Sequence, residues 1–235
     1  IPYLQRILQR DPGDSHAFTR LKAILTARER WDDLQRMYDR AIEAASDPTR
    51  RVELLSEVAL VFEDILDDPA RAAASYERVL AVEADNDPAI RALDKLYGRT
   101  QRHRDLSKLL SAQLMTVSDD KRTLLEARLA SLHLERLDDP SEALRFAASI
   151  LEREIDHGDA REIARTVMTK PGTRLRAAEV LERVYLARDE ARELDEVTAI
   201  RLAEGTEIPK EERIDLLRRL AKLRDERLAN DEGAL

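Results

Sequence analysis

Apolar residues return every three to four positions along almost the whole chain, and strand-like alternation appears nowhere. Between Thr49 and Leu66 one stripe runs Val52, Leu55, Val58/Ala59, Phe62, Ile65/Leu66, and a second runs Leu54, Val61, Ile65. One stripe suits a helix lying on a surface; two predict a helix sandwiched between neighbours. The segment 69–83 sets Ala72, Tyr76, Val79 and Leu80 on one face. The same reading predicts helices at 1–10, 15–28, 31–45, 49–66, 69–83, 88–98, 103–117, 121–137, 140–154, 159–168, 173–187 and 189–204, with a thirteenth over about 210–229.

Punctuation agrees with the periodicity. Five of the eight prolines follow aspartate, at 12, 48, 69, 88 and 140. An N-cap Asp accepts from an orphan amide of the first turn, and Pro gives up an N–H the helix does not use. Asp11-Pro12-Gly13-Asp14 is the exception and reads as a connecting turn. Asp139 with Glu142 three residues on makes a capping-box pattern. Asp32–Arg36, Glu179–Arg183 and Asp215–Arg219 have the i,i+4 spacing of solvent-side ion pairs.

The pattern also repeats. Residues 50–80 reappear as 121–151, with Ala59/Ala130, Leu66/Leu137, the Asp-Asp-Pro turn, Ala72/Ala143 and Leu80/Leu151 in register at an offset of 71. Residues 6–38 align with 78–110 at an offset of 72. A further copy begins at Arg213, with Ala221 matching Ala59 and Ala234 matching Ala72. The unit is therefore four helices, or two helix pairs. A helix pair every 34–37 residues, with Ala59 and Phe62 in its first helix and Ala72 and Tyr76 in its second, resembles the tetratricopeptide repeat. The copies depart from that motif: Lys22 and Asp94 occupy the first small position, and Ala147 and Arg224 replace aromatics. The resemblance covers roughly 1–154 and 210–235. Residues 156–204 lack the Asp-Asp-Pro landmark, carry a Pro171-Gly172 turn and look more like a HEAT-type pair.

These observations predict an all-α chain, a right-handed α-solenoid of about six antiparallel helix pairs in a tetratricopeptide-like superhelix. Its expected divisions are 1–154 (about four tetratricopeptide-like pairs), 155–205 (irregular HEAT-like pairs) and 206–235 (the start of a further unit). Neither end shows a polar capping repeat, so the expectation is a fragment of a longer protein, of the kind in which bacterial double units recur.

Composition narrows the function. Hydrophobic residues make up 43% of the 235 but aromatics only 4%, and Ala, Leu, Glu and Arg dominate, as in long helices. A net charge of −8 opposes nucleic-acid binding. The absence of cysteine removes disulfides, thiolate nucleophiles and cysteine metal sites. No apolar run is long enough for a membrane-spanning helix and no signal peptide is visible, so the expected location is cytoplasmic.

Catalytic chemistry is hard to find. His16, His103, His133 and His157 lie far apart, with no i,i+3 or i,i+4 pair to hold a metal, and His133 falls on the core position of Phe62. Met37, Met115 and Met168 read as core filling. No glycine-rich phosphate loop or nucleophile elbow occurs. The acid pairs 32–33, 67–68 and 138–139 sit at helix ends, where capping accounts for them. No cofactor or metal is expected, and no enzyme activity. Arg99, Arg102, His103 and Arg104 cluster at a turn and form a candidate contact for an anion or acidic peptide. Trp31 reads as a wedge between helices, or else an interface anchor.

The resemblance implies that the first helix of each pair lines a concave face. It assigns partner contacts to Thr19, Ala23, Ser56, Leu60, Glu63, Arg91, Lys95, Ala127, Ser131, Leu134, Arg218 and Lys222. Leu60 and Leu134 have no reason to face water unless something covers them. The expected function is a non-catalytic scaffold or adaptor that binds a segment of a partner protein, with self-association as a further option. The alternatives are the scaffolding part of a larger multidomain enzyme or signalling protein, a passive spacer, and a helical-repeat RNA-binding module, which the acidic balance opposes.

Overall fold

The computed structural model describes residues 1–205 and 208–225, of Asp120 the backbone alone. It is all-α, an α-solenoid in which helices pack on those next to them in sequence, and no strand occurs among the described residues. The chain divides into two compact units, Ile1–Leu106 and a second beginning at Ser107. The first holds α1 (Pro2–Arg10), α2 (Ser15–Ala27), α3 (Trp31–Ala44), α4 (Pro48–Leu60), α5 (Pro69–Val82) and α6 (Asp87–Arg99). The division falls within α7 (His103–Leu114). The second unit continues with α8 (Asp119–Glu135), α9 (Pro140–Arg153), α10 (Gly158–Met168), α11 (Arg174–Arg188), α12 (Ala191–Glu204) and α13 (Lys210–Leu223). The end of the expected thirteenth helix, together with the Ala234/Ala72 match, lies outside the described residues.

Helix ends follow the caps. Asp47, Asp68 and Asp139 accept bonds from first-turn amides at 3.2, 3.0 and 3.1 Å, each with Pro in the first turn. Asp87 does not cap α6. Asn86 does, accepting from the Ala89 amide at 3.0 Å, and Asp87 becomes the first helical residue. The Asp139–Glu142 capping box is half formed. The Asp139 amide donates to the His133 carbonyl at 2.9 Å instead, and Glu142 turns to Arg145 at 2.8 Å. The other expected ion pairs also choose different partners: Arg36 takes Asp33, Arg183 takes Glu152, and Arg218 takes Asp215. Arginine side chains are long enough to reach several acids of similar energy, so spacing alone does not select one.

The repeat is visible in the backbone. Asp67 and Asp138 adopt left-handed φ of 45° and 50°, and Glu29 and Gln101 do so at 53° and 57°. Both pairs keep the repeat offset. After each, the chain closes with the same bonds: Asp68 to Phe62 and Asp139 to His133, Arg30 to Leu25 and Arg102 to Tyr97. These left-handed residues end one helix and turn the chain back into the next. Gly172, at φ 84°, does so in the Pro171-Gly172 turn.

Small residues let the helices of a pair approach closely. Ala59, Ala72 and Ala73 are buried between α4 and α5, as Ala130, Ala143 and Ala147 are between α8 and α9. Leu21, Leu25, Leu54, Leu93, Leu129, Ile150 and Leu181 fill the remaining space, each contributing about 1.5–3 kcal/mol on burial. Met37 and Met168 are in these cores. Met115 is not: α7 ends at Leu114, so Met115 falls in the turn after it and is 84% exposed. After Leu60 the chain runs on as one π-helical turn, Val61–Ile65, which α8 lacks.

Candidate functional site

In the first unit, the expected contact positions Thr19 and Ala23 are exposed on α2 and open into one trough of about 710 Å³. Lys22, Thr26, Ala27, Arg50 and Glu57 complete its walls, together with Gly13, Ser15 and Phe18. The two sides, α2 and α4, are tied by a polar network. Lys22 Nζ donates to Glu57 Oε2 at 2.7 Å, and the Tyr38 hydroxyl of α3 donates to the same oxygen at 2.8 Å. Burial raises the Glu57 carboxyl, but the bonds from Lys22 and Tyr38 outweigh it and hold the group below its ordinary value. Burial, reinforced by the Glu57 carboxylate, pushes the Tyr38 phenol far up. The phenol therefore stays a hydrogen-bond donor and the carboxylate stays an acceptor. Lys22 lies 5.8 Å from the Tyr38 ring centre, and Phe18 meets that ring edge-on at 5.2 Å. The signal for this network lay in Lys22, which stands where the repeat asks for a small residue.

Along α4, Leu60 is 49% exposed, as its position predicts, and Ser56 is half-buried. Glu63, in the π turn, accepts from the Tyr76 hydroxyl at 3.3 Å; burial and the Glu63 charge push that phenol up to about 12. Ile65, in the same turn, is 53% exposed. On α6, Arg91 and Lys95 are exposed, and Arg91 lies 3.8 Å from Asp87. In the second unit Ala127, Ser131 and Leu134 are half-buried, and Arg218 and Lys222 are exposed on α13. Lys222 borders a separate hollow of about 340 Å³ with Leu186, Leu194 and Thr198.

Two arginines of the basic turn at the end of α6 pair with acids. Arg99 pairs with Asp67 at 3.4 Å, and Arg102 with Glu77 at 3.0 Å and Asp105 at 2.8 Å. His103 is half-buried and Arg104 exposed. Trp31 is half-buried at the first position of α3.

Two of the four histidines have structural contacts. His157 Nδ1 caps α10, accepting from the Ala160 amide at 3.3 Å. His133 takes the aromatic's place in α8, 2.9 Å from Ser107 Oγ and 5.8 Å from the Phe146 ring. Among the described residues no cluster of three metal-ligating side chains occurs. No described helix is long and apolar enough to cross a membrane.

No family model and no curated protein matches the sequence. Among solved structures, the chain is similar to one in the structure of Naa15/Naa10 bound to HypK-THB, with a TM-score of 0.47 and 12% identity; the match covers 98% of this chain and 37% of that one. It is similar to BtubC from P. vanneervenii, with a TM-score of 0.34, 16% identity and 89% of each chain covered. It is also similar to a tetratricopeptide repeat protein from Parabacteroides merdae, with a TM-score of 0.36, 14% identity and 92% and 88% covered.

Proposed function

We propose that the protein is a non-catalytic scaffold that holds a segment of a partner protein, and that the α2–α4 trough of the first unit is the seat. The observation that carries this is the trough itself: open, of mixed polarity, with walls fixed by the Lys22–Glu57–Tyr38 network and with Leu60 bare farther along α4. An open trough accepts an extended or helical peptide, whereas catalysis needs convergent groups in a closed, dry pocket. Exposed leucine beside half-solvated charge suits an anchor surrounded by orienting contacts. Arg91 and Lys95 extend the same recognition along α6 toward acidic residues of the partner, and we assign Ala127, Ser131 and Leu134 a corresponding role in the second unit.

Photo-crosslinking from Thr19 and Ala23, with exposed Ala74 on α5 as control, identifies the partner; calorimetry then measures it. Leu60→Asp is expected to weaken binding by about tenfold, since about 1.4 kcal/mol is one decade. Arg91→Glu with Lys95→Glu is expected to weaken it in a salt-dependent way. If all three substitutions leave the affinity of the crosslinked protein unchanged, its seat does not reach Leu60 or α6; a partner that crosslinks as well from Ala74 as from Thr19 and Ala23 is not seated in the trough.

A further inference from the structure

Besides its trough, the first unit holds an interior hollow bounded by α1, α2 and α3. It measures about 80 Å³, and every residue that lines it falls between Gln5 and Ala41. Leu8 of α1, Phe18 and Leu21 of α2, and Met37 of α3 make an apolar floor; Phe18, Leu21 and Met37 are 5%, 2% and 8% exposed. The mouth is polar. Gln9 comes to it from α1, and Arg36 and Arg40 from α3, all three exposed. Asp33 stands beside them, its carboxylate taken up by Arg36 and Arg30. Arg40 pairs with no acid among the described residues.

Two observations separate this hollow from an ordinary packing gap. One repeat on, at the offset of 72, Ala81 and Ala112 stand where Gln9 and Arg40 stand here. The helix repeat itself therefore asks for no polar side chain at either place. The second is the combination of floor and rim. An apolar recess gives water few partners, while the Arg40 charge at its edge calls for an anion or for solvent. A molecule that joins an aliphatic tail to an anionic head satisfies both. Volume limits the tail. A dry cavity of about 150 Å³ takes benzene, so about half that volume takes a branched tail of three or four carbons and no ring.

We propose that this hollow binds a short, branched aliphatic carboxylate, with the tail among Leu8, Phe18, Leu21 and Met37 and the carboxylate against the Arg40 guanidinium. Gln5 and Gln9 offer amide donors to the same head. Arg36 is engaged by Asp33, so Arg40 carries the recognition, in the planar two-bond geometry that guanidinium makes with carboxylate. Phe18 also borders the trough, but the ligand needs no partner protein there, and the two sites stand or fall separately.

The three methionines make the test direct. Met37 lines the hollow, Met115 is exposed and Met168 is buried in the second unit, so methyl-labelled methionine gives one reporter and two internal controls. Titration with sodium isovalerate, against sodium chloride at equal ionic strength, is expected to move the Met37 methyl resonance to saturation. The dissociation constant is expected in about the millimolar range, the reach of so small a ligand. Met115 and Met168 are expected to stay in place. Arg40→Gln, at an exposed position, is expected to weaken binding about tenfold or more with unchanged circular dichroism. Isoamyl alcohol, the same tail with a neutral head, is expected to bind the wild type more weakly by a similar factor, which keeps the test open if Arg40→Gln loses helicity. Leu8→Phe, which fills the floor, is expected to abolish binding. A Met37 resonance that isovalerate does not move, or three resonances that drift together without saturating, overturns the proposal. So does equal affinity for the acid and the alcohol, or wild-type affinity in a folded Arg40→Gln or Leu8→Phe.

Discussion

Asp67 and Asp68 stand side by side in the turn after α4 and act in different ways. Asp67 is there for its backbone, holding φ 45°, which aspartate tolerates better than most residues. Asp67→Gly is expected to fold at least as stably as wild type, and Asp67→Val to lose on the order of 1–2 kcal/mol in urea titration. Asp68 is there for its carboxylate. The Arg71 amide and guanidinium, 3.0 and 2.7 Å away, hold it below its ordinary 3.8 against a smaller opposing effect of burial. Asp68→Ala is expected to remove about 1 kcal/mol. A depressed carboxylate contributes stability that is whole above the unfolded value and lost as pH falls through the folded one. Asp68→Asn keeps a capping oxygen without the charge, so its thermal midpoint is expected below wild type near neutrality and to converge with it below about pH 4. A gap that stays constant through that range would remove the assigned role of the charge.

At the scale of single helices, the sequence was most legible where one physical signal dominates. Helix positions followed the apolar period, and the Asp-Pro turns at Asp47, Asp68 and Asp139 followed capping, because both are local. What escaped was long-range or shared between partners. Lys22, Tyr38 and Glu57 belong to three helices, and nothing in local spacing joins them. Met115 misled because its apolar position lies one residue past the end of α7. The position of Leu55 shows how the repeat stays foldable while drifting. Its counterpart Glu126 is almost as buried, and Arg153 and Ser149 compensate it. Arg153 itself is 39% exposed in its side chain, so it returns to water when its partner is lost. Glu126→Leu is therefore expected to be near neutral in denaturant titration, as replacing a buried ion with a well-packed leucine often is. Glu126→Ala leaves a cavity as well and is expected to lose about 2 kcal/mol or more. Equal losses in the two variants would mean that the ion pair, and not the volume, holds α8 to α9.

At the scale of the molecule, helices that pack chiefly on their sequence neighbours make stability a sum of local terms, with no single core through which every residue feels every other. The two compact units sharpen that expectation. Leu25, wholly buried in α2, is expected to lose about 2–5 kcal/mol on truncation to alanine. In a chain with one shared core the loss would appear as faster hydrogen exchange everywhere. Here the exchange of α2, α3 and α4 is expected to accelerate strongly, while α9, α10 and α11 keep their protection. The reciprocal substitution, Leu181→Ala in α11, is expected to loosen the second unit and leave α2 unchanged. The outcome also bears on binding: if the units open independently, a partner seated on α2 and α4 stabilises the first unit by its own binding free energy and adds nothing to the protection of α11. Uniform acceleration in both variants would show instead that the helices unfold as one cooperative block.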